Sequence, residues 1–152
     1  GEYMVVKLMP RDIVTRWDAI VYGIDQSLPP YVYRTSNTFS DILHRLLLDD
    51  MQCWALTSSP SVEDIDAIAT TFVSKDAVTE NKALIIYTLY AYNSVTGERW
   101  KEGIEALKKY AKGRDCSVLS SYTTNKRVTQ ISALTGGETH NYLMWRTMDE
   151  DL

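Results

Sequence analysis

The chain has 152 residues, 45% of them apolar and 24% charged, with a net charge of −4. That length suits one domain burying about two-thirds of its unfolded surface. The acidic balance argues against a broad basic surface for nucleic acid or an anionic membrane, and the longest apolar runs, about ten residues, are too short to span a bilayer.

No stretch combines a basic start, an apolar middle and a small-residue cleavage site, so a cytoplasmic protein is expected. Residues 1–3, "GEY", read as a cloning remnant ahead of Met4. Cys53 and Cys116 stand alone, without a CxxC or a Cys/His cluster, so neither a disulfide framework nor a metal site is expected. Both read as small hydrophobes on strands in a reducing compartment.

In chain order, "YMVVKLM" (3–9) is a β-branched run ended by Pro10 and predicts a strand. From Arg11 the spacing of Ile13, Trp17, Ile20, Ile24 and Leu28 predicts one helix, stopped by Pro29-Pro30. "TFSDILHRLLLDD" places Phe39, Ile42, Leu43, Leu46 and Leu47 on one helical face, and Thr38 with Asp41 forms a loose capping box. "MQCWALTS" (51–58) and "IDAIATTFV" (65–73) read as hairpin partners across the turn "SPSVED" (59–64), and 74–82 as a polar loop.

"ALIIYTLYAY" (83–92) is apolar at nearly every position, as in a strand covered on both faces. Trp100, Ile104, Leu107 and Ala111 mark a helix ending at Gly113, and 116–123 is a further strand. Residues 125–134 predict a short helix capped by Asn125 and ended by Gly136-Gly137. "THNYLMWRTM" (139–148) predicts a last strand before the acidic tail "DEDL". Trp17, Trp54, Trp100 and Trp145 are expected as core anchors. The expected order is β-α-α-β-β-β-α-β-α-β, with no repeat and no linker.

The stretch "YNSVTGERWKEG" (92–103) joins a buried strand to a helix through one glycine, an arrangement that often holds phosphate. Two readings of it stand. Thr96 or Ser94 caps the helix, Gly97 permits a tight entry and Glu98 favours the helix dipole, with no ligand required. Alternatively, the backbone N–H groups of the turn cradle a pyrophosphate, with Arg99 and Lys101 offsetting the charge of Glu98.

The element order, with a three-strand meander before strand-turn-helix, resembles the GNAT family of acyl-CoA N-acyltransferases across nearly the whole chain. "TTNKRVTQISALTGGETHNYLMWR" looks like that family's C-terminal segment, in which an Asn opens the last helix and a Gly-Phe pair closes it, and the spacing from Asn125 to Gly136 fits. The run "IIYTLYAYNSVTGERWKEGIEALKKYAKGRDCSVLSSYTTN" is also similar to divergent GNAT-like proteins of tailed bacteriophages. The resemblance implies a single GNAT-like α/β domain over 1–152. Its sheet would be mixed and mostly antiparallel, with helices on both faces, and would splay after 83–92 where the pantetheine arm enters.

It further implies acetyl-CoA held by Tyr92, Asn93, Ser94, Val95, Thr96, Gly97, Glu98, Arg99 and Asn125. Against the family's Gln/Arg-x-x-Gly-x-Gly/Ala turn, "SVTGER" keeps Gly97 while Ser94 and Arg99 depart from it. The family's tyrosine acid falls at Ser132, too weak an acid for the task, which leaves Tyr122 as the candidate catalytic residue. No general base is legible: Asp66 and Glu80 are expected to face solvent, and His44 and His140 to lie on the surface. The connection after Pro30 would cover the acceptor end, placing Tyr31, Tyr33 and Arg34 against a ligand or a protein partner. Two functions follow from the resemblance. One is an acetyl-CoA-dependent N-acetyltransferase of a small or protein-borne amine. The other is a catalytically inactive GNAT fold serving as an interaction or virion-associated protein.

Overall fold

A computed structural model describes residues 4–59 and 64–149. The expected cloning remnant at 1–3, the middle of the 59–64 turn and the end of the acidic tail at 150–152 lie outside the described residues.

The first strand, β1, is Met4–Lys7. Pro10 ends the extended run by opening a helix, α1 (Pro10–Thr15), at the first helical position, where its missing N–H is no loss. The helix expected to run to Leu28 breaks at Arg16 (φ −103°, ψ 16°) and resumes as α2, Trp17–Ser27. Thr15 Oγ1 donates to the Arg11 carbonyl at 2.7 Å, a back-bond that bends helices, and accompanies the break. Ile13, Ile20 and Ile24 remain buried on one side despite it.

The next helix, α3, spans Thr38–Leu47. Thr38 does not cap it: Asn37 is the N-cap, and Thr38 Oγ1 instead accepts from Thr35 N at 2.8 Å. The hairpin follows as expected, β2 (Gln52–Thr57) with β3 (Ile65–Lys75). Then come β4 (Lys82–Ala91), α4 (Gly97–Gly113), β5 (Val118–Ser121) and α5 (Lys126–Leu134).

Gly113 is the last residue of α4 but not its left-handed stop. Asp115 takes that position (φ 59°), while Cys116 N donates to Ala111 O at 2.9 Å. The end of α5 follows expectation: Gly136 has φ +82°, and Gly137 N donates to Ser132 O at 2.7 Å. Cys116 is half-buried and precedes its strand, whereas Cys53 is fully buried in β2, where burial pushes its thiol up to about 12.

The five strands lie in chain order, antiparallel from β1 to β4, with β5 parallel to β4. Alternate residues feed two cores because successive strand side chains point to opposite faces. Cys53, Ala55 and Ile68 pack with Ile13, Ile20, Ile24, Ile42 and Leu46 from the first three helices. On the other face Trp54, Leu56, Ala67 and Ala69 meet Trp100 and Leu107 of α4 and Ile131 of α5. The mixed, mostly antiparallel sheet with helices on both faces is therefore as expected.

The strand expected over 139–148 is not formed, and every residue from 136 to 149 is exposed. Trp145, expected as a core anchor, is 79% exposed. A strand-forming composition becomes a strand only where it pairs with an edge, and among the described residues this segment pairs with none. Among the described residues, no helix is long and apolar enough to cross a membrane.

Candidate active site

β4 and β5 pair over only four registers, from Ala83 with Val118 to Ile86 with Ser121. Beyond them β5 gives way to the 122–125 link while β4 runs on to Ala91, so the two strands part. Among the described residues, the edge of β4 away from β3 has no strand beside it from Tyr87 onward, and the opening holds a cavity of about 330 Å³. Ser121 to Asn125 form one wall, Tyr87 and Leu89 the other, and Gln26 to Leu28 close one side. This lining carries hydroxyl, amide and apolar groups but no charged side chain.

The turn after β4 leads into α4, and its side chains divide into two sets. Val95 is buried with Leu56, Trp100 and Ile131, which pins the turn to the core. Ser94, Thr96, Gly97 and Glu98 remain exposed. Thr96 caps α4, its Oγ1 accepting from Arg99 N at 3.3 Å. Among the described residues, the N–H groups of Gly97 and Glu98 have no acceptor, as at the start of any helix. A Cβ built on Gly97 would meet only Leu134 Cδ1, at 4.0 Å, so the turn is open at this position.

Arg99 does not face the turn's open side. Its Nη2 reaches Asp66 Oδ2 at 2.8 Å, in an ion pair whose side chains are 7% and 11% exposed. Asp66, expected in solvent, is therefore a buried anchor. Its other oxygen accepts from Asn93 Nδ2 at 2.9 Å, and its carbonyl from Tyr92 N at 2.7 Å. Burial raises the Asp66 pKa, but the hydrogen bonds from Asn93 and Arg99 and the charge of Arg99 outweigh it and hold the group below its ordinary value. One carboxylate thus ties both flanks of the turn to β3. The Tyr92 side chain turns away to α2, donating to Ala19 O at 2.5 Å, and burial foremost raises its pKa.

Asn125 caps α5, accepting from Arg127 N at 2.8 Å, and its side of the helix borders the opening. Arg127 Nη2 lies 3.4 Å from Val95 O, so the start of α5 rests against the turn. Tyr122 and Asn125 thus line one opening, and the start of α5 beside it touches the turn through Arg127. Ser132 sits elsewhere, at the α5 stop, where a Cβ on Gly137 would fall 2.0 Å from its Oγ.

Tyr122 is exposed on the wall of the opening and packs against Tyr31 and Tyr142, with ring centroids at 5.7 and 5.2 Å. Burial raises the Tyr31 pKa, helped by the phenols of Tyr87, Tyr122 and Tyr142, so four tyrosines converge there. Arg34 is engaged by Asp25 and lies over the Phe39 ring. Glu80 is exposed beside Lys75, as are His44 and, beside Glu138, His140.

No protein-family model matches the sequence, and a search of curated proteins finds no significant match. Solved structures do match. Glucosamine-6-phosphate N-acetyltransferase from Arabidopsis thaliana superposes with a TM-score of 0.67 at 15% identity, covering 98% of this chain and all of that one. A GNAT family acetyltransferase from Staphylococcus aureus gives 0.67 at 10% identity over 97% and 100%. The acetyltransferase AAC(6')-Iy, in complex with a CoA-containing bisubstrate analogue, gives 0.69 at 12% identity over 98% and 100%. Strand order, the splay between β4 and β5, and superposition along nearly the whole length converge: this chain has the GNAT acyl-CoA N-acyltransferase fold.

Proposed function

We propose that the protein is an N-acetyltransferase that uses acetyl-CoA and takes an amine, on a small molecule or a protein, as acceptor. The observation that carries this reading is the uncharged opening between β4 and β5, in a fold that also sets a glycine-bearing helix start directly after β4. Neighbours of the same fold include an enzyme bound to a CoA-containing bisubstrate analogue, which supports the choice of cofactor.

Acetyl-CoA, when bound, supplies the acetyl thioester. The N–H groups at Gly97 and Glu98 suit its phosphates, since the α4 dipole favours negative charge there. The backbone of Ser94 to Thr96 extends that cradle. The free edge of β4 offers main-chain groups to the amides of an extended arm, as an added strand would use them, and Asn125 borders the same path. Asp66 is a positioning residue: it fixes the backbone of Tyr92 and Asn93 on one side and Arg99 on the other, so the turn is organised before any ligand arrives. Tyr122, exposed at the opening, would supply the proton that a thiolate leaving group takes up, and the proton of the attacking amine would pass to solvent water. Tyr31 keeps its proton at neutral pH and, with Tyr142, walls the acceptor end from water.

Calorimetric titration with acetyl-CoA tests the reading. Wild type is expected to bind one-to-one. Gly97→Asp, which places a carboxylate at an open position of the turn, is expected to lose binding while melting like wild type. Tyr122→Phe is expected to lower kcat about 100-fold with little change in KM for acetyl-CoA. No heat and no thermal stabilisation with wild type would overturn the reading, and equal binding by Gly97→Asp would move the cradle elsewhere.

A further inference from the structure

The cavity between β4 and β5 passes through the sheet rather than lying on one face. Tyr87, in its lining, packs with the core under the first three helices, whereas Leu89 packs with the core under α4. Asn125 and Val128, from the start of α5, bound the cavity on the α4 side, and Gln26, Leu28 and Pro30 bound it on the α2 side. With acetyl-CoA on the α4 side, as proposed above, the α2 side is left for the acceptor.

Charge is missing from that end and aromatic surface is plentiful. None of the described residues lining the cavity has a charged side chain. Asp25, just ahead of the lining residue Gln26, is engaged by Arg34, whose Nη2 also reaches the Asp25 carbonyl at 3.0 Å. At the rim Arg146 Nη2 donates to Pro30 O at 2.8 Å, so the group held there is itself a cation. Tyr31, Tyr122 and Tyr142 pack against one another, yet 38%, 42% and 45% of their surfaces stay exposed. Burial foremost, with the neighbouring phenols, raises the Tyr31 pKa, so no phenolate supplies the missing charge.

These conditions select among amines. A polyamine or an aminoglycoside carries several ammonium groups, and each costs free energy when buried without a carboxylate. A sugar phosphate needs several cationic donors around its oxygens, and the lining offers none. A flat aromatic body meets the opposite situation, because exposed tyrosine rings gain from edge-to-face and offset contacts. The uncharged site also disfavours the ammonium form, which lowers the pKa of the amine itself and frees its lone pair without a carboxylate base in the lining.

We propose, resting on the acetyltransferase reading above, that the acceptor is a primary amine borne on a flat aromatic body with no second charged group, held against Tyr31, Tyr122 and Tyr142. The amine nitrogen bonds to the acetyl carbon as the carbon–sulfur bond breaks. Tyr122 gives its proton to the sulfur, and the proton lost by the amine passes to solvent, from which Tyr122 is reprotonated.

Release of CoA thiol by the full chain tests this with p-anisidine, 2-phenylethylamine, spermidine and glucosamine 6-phosphate as acceptors, beside calorimetric titration with acetyl-CoA. At least one of the two aromatic amines is expected to exceed both other acceptors in kcat/KM by about 100-fold. Tyr31→Leu is expected to raise KM for that amine about 10-fold and to leave the heat of acetyl-CoA binding unchanged. Tyr142→Leu replaces it should circular dichroism find that variant unfolded. Preference for spermidine or the sugar phosphate, turnover of no acceptor by a protein that binds acetyl-CoA, or a KM unmoved by the substitution overturns this inference while acetyl-CoA binding stands. A wild type that does not bind acetyl-CoA overturns both.

Discussion

On one side of the opening, β4 and the turn into α4 are fastened to β3 by a buried ion pair, three further hydrogen bonds to Asp66 and the inward side chain of Val95. On the other side, β5 has four residues, none fully buried, and the 122–125 link and the 136–149 segment are exposed, touching the rest mainly through tyrosine edges. On the proposed function, the difference suits two binding tasks. A phosphate site gains from a backbone fixed in advance, because donors that need no reorganisation bind charge more strongly. An acceptor site gains from a wall that adjusts, and such segments are drawn from the less stable part of a fold.

Removing the anchor breaks that contrast most severely. Asp66→Ala removes the carboxylate that pairs with buried Arg99 at 2.8 Å and is expected to destabilise the protein by about 3–5 kcal/mol in urea unfolding. Asp66→Ala combined with Arg99→Met should recover most of the loss, since no charge is then stranded. A recovery of less than half would mean that Asp66 acts chiefly through Asn93. The pH dependence has a definite sign. The folded pKa of Asp66 is depressed, so its contribution is complete above the unfolded aspartate value of about 3.9 and is lost as pH falls through the lower folded value. Asp66→Asn should flatten that acid limb.

The next largest effect tests how tightly the fastened side is packed. Gly23 of α2 sits where a Cβ would fall 2.8 Å from both Ile68 Cδ1 and the Tyr92 hydroxyl. Gly23→Ala is therefore expected to cost about 1–3 kcal/mol despite the better helix propensity of alanine, because the Ile68 side chain is fully buried and the Tyr92 hydroxyl is held by the Ala19 carbonyl. Tyr142→Ala, on the loose side, should cost no more than about 1 kcal/mol, since its ring is 45% exposed and only its edge contacts are lost. If thermal or urea unfolding ranks these two the other way round, the contrast between the walls is wrong.

The sequence revealed what is local and missed what is not. The Asn125 cap, the Gly136 stop, the hairpin and the strand-turn-helix at 83–113 each carry their signal within a few residues, and all four are present. Asp66 was misread because its partner lies 33 residues away, and an aspartate at the mouth of an apolar strand looks like a solvent-facing end. A signal was available: Arg99 stands where the family's turn keeps a small residue, and a buried arginine requires a carboxylate nearby. The stretch 139–148 was misread for the opposite reason. Its composition is that of a strand, but composition does not say which edge, or whose, it pairs with. The break at Arg16 left the apolar spacing of Ile13, Ile20 and Ile24 intact, so periodicity alone was blind to it.

The smallest expected effect concerns a slack spot inside the fastened side. Gly103 lies in the middle of α4 over a small cavity of about 40 Å³, lined by apolar groups that include Trp54, Leu89 and Leu107. A Cβ there would meet nothing within 4 Å. Glycine in a helix interior costs roughly 0.5–1 kcal/mol relative to alanine, chiefly through backbone entropy. Gly103→Ala should therefore raise stability by about that amount and, if acetyl-CoA is held at the turn, leave its affinity unchanged. The same residue change at Gly23 is expected to act in the opposite direction, so the pair separates close packing from helix propensity. Destabilisation by Gly103→Ala in urea unfolding would mean that α4 approaches the sheet more closely than this cavity allows.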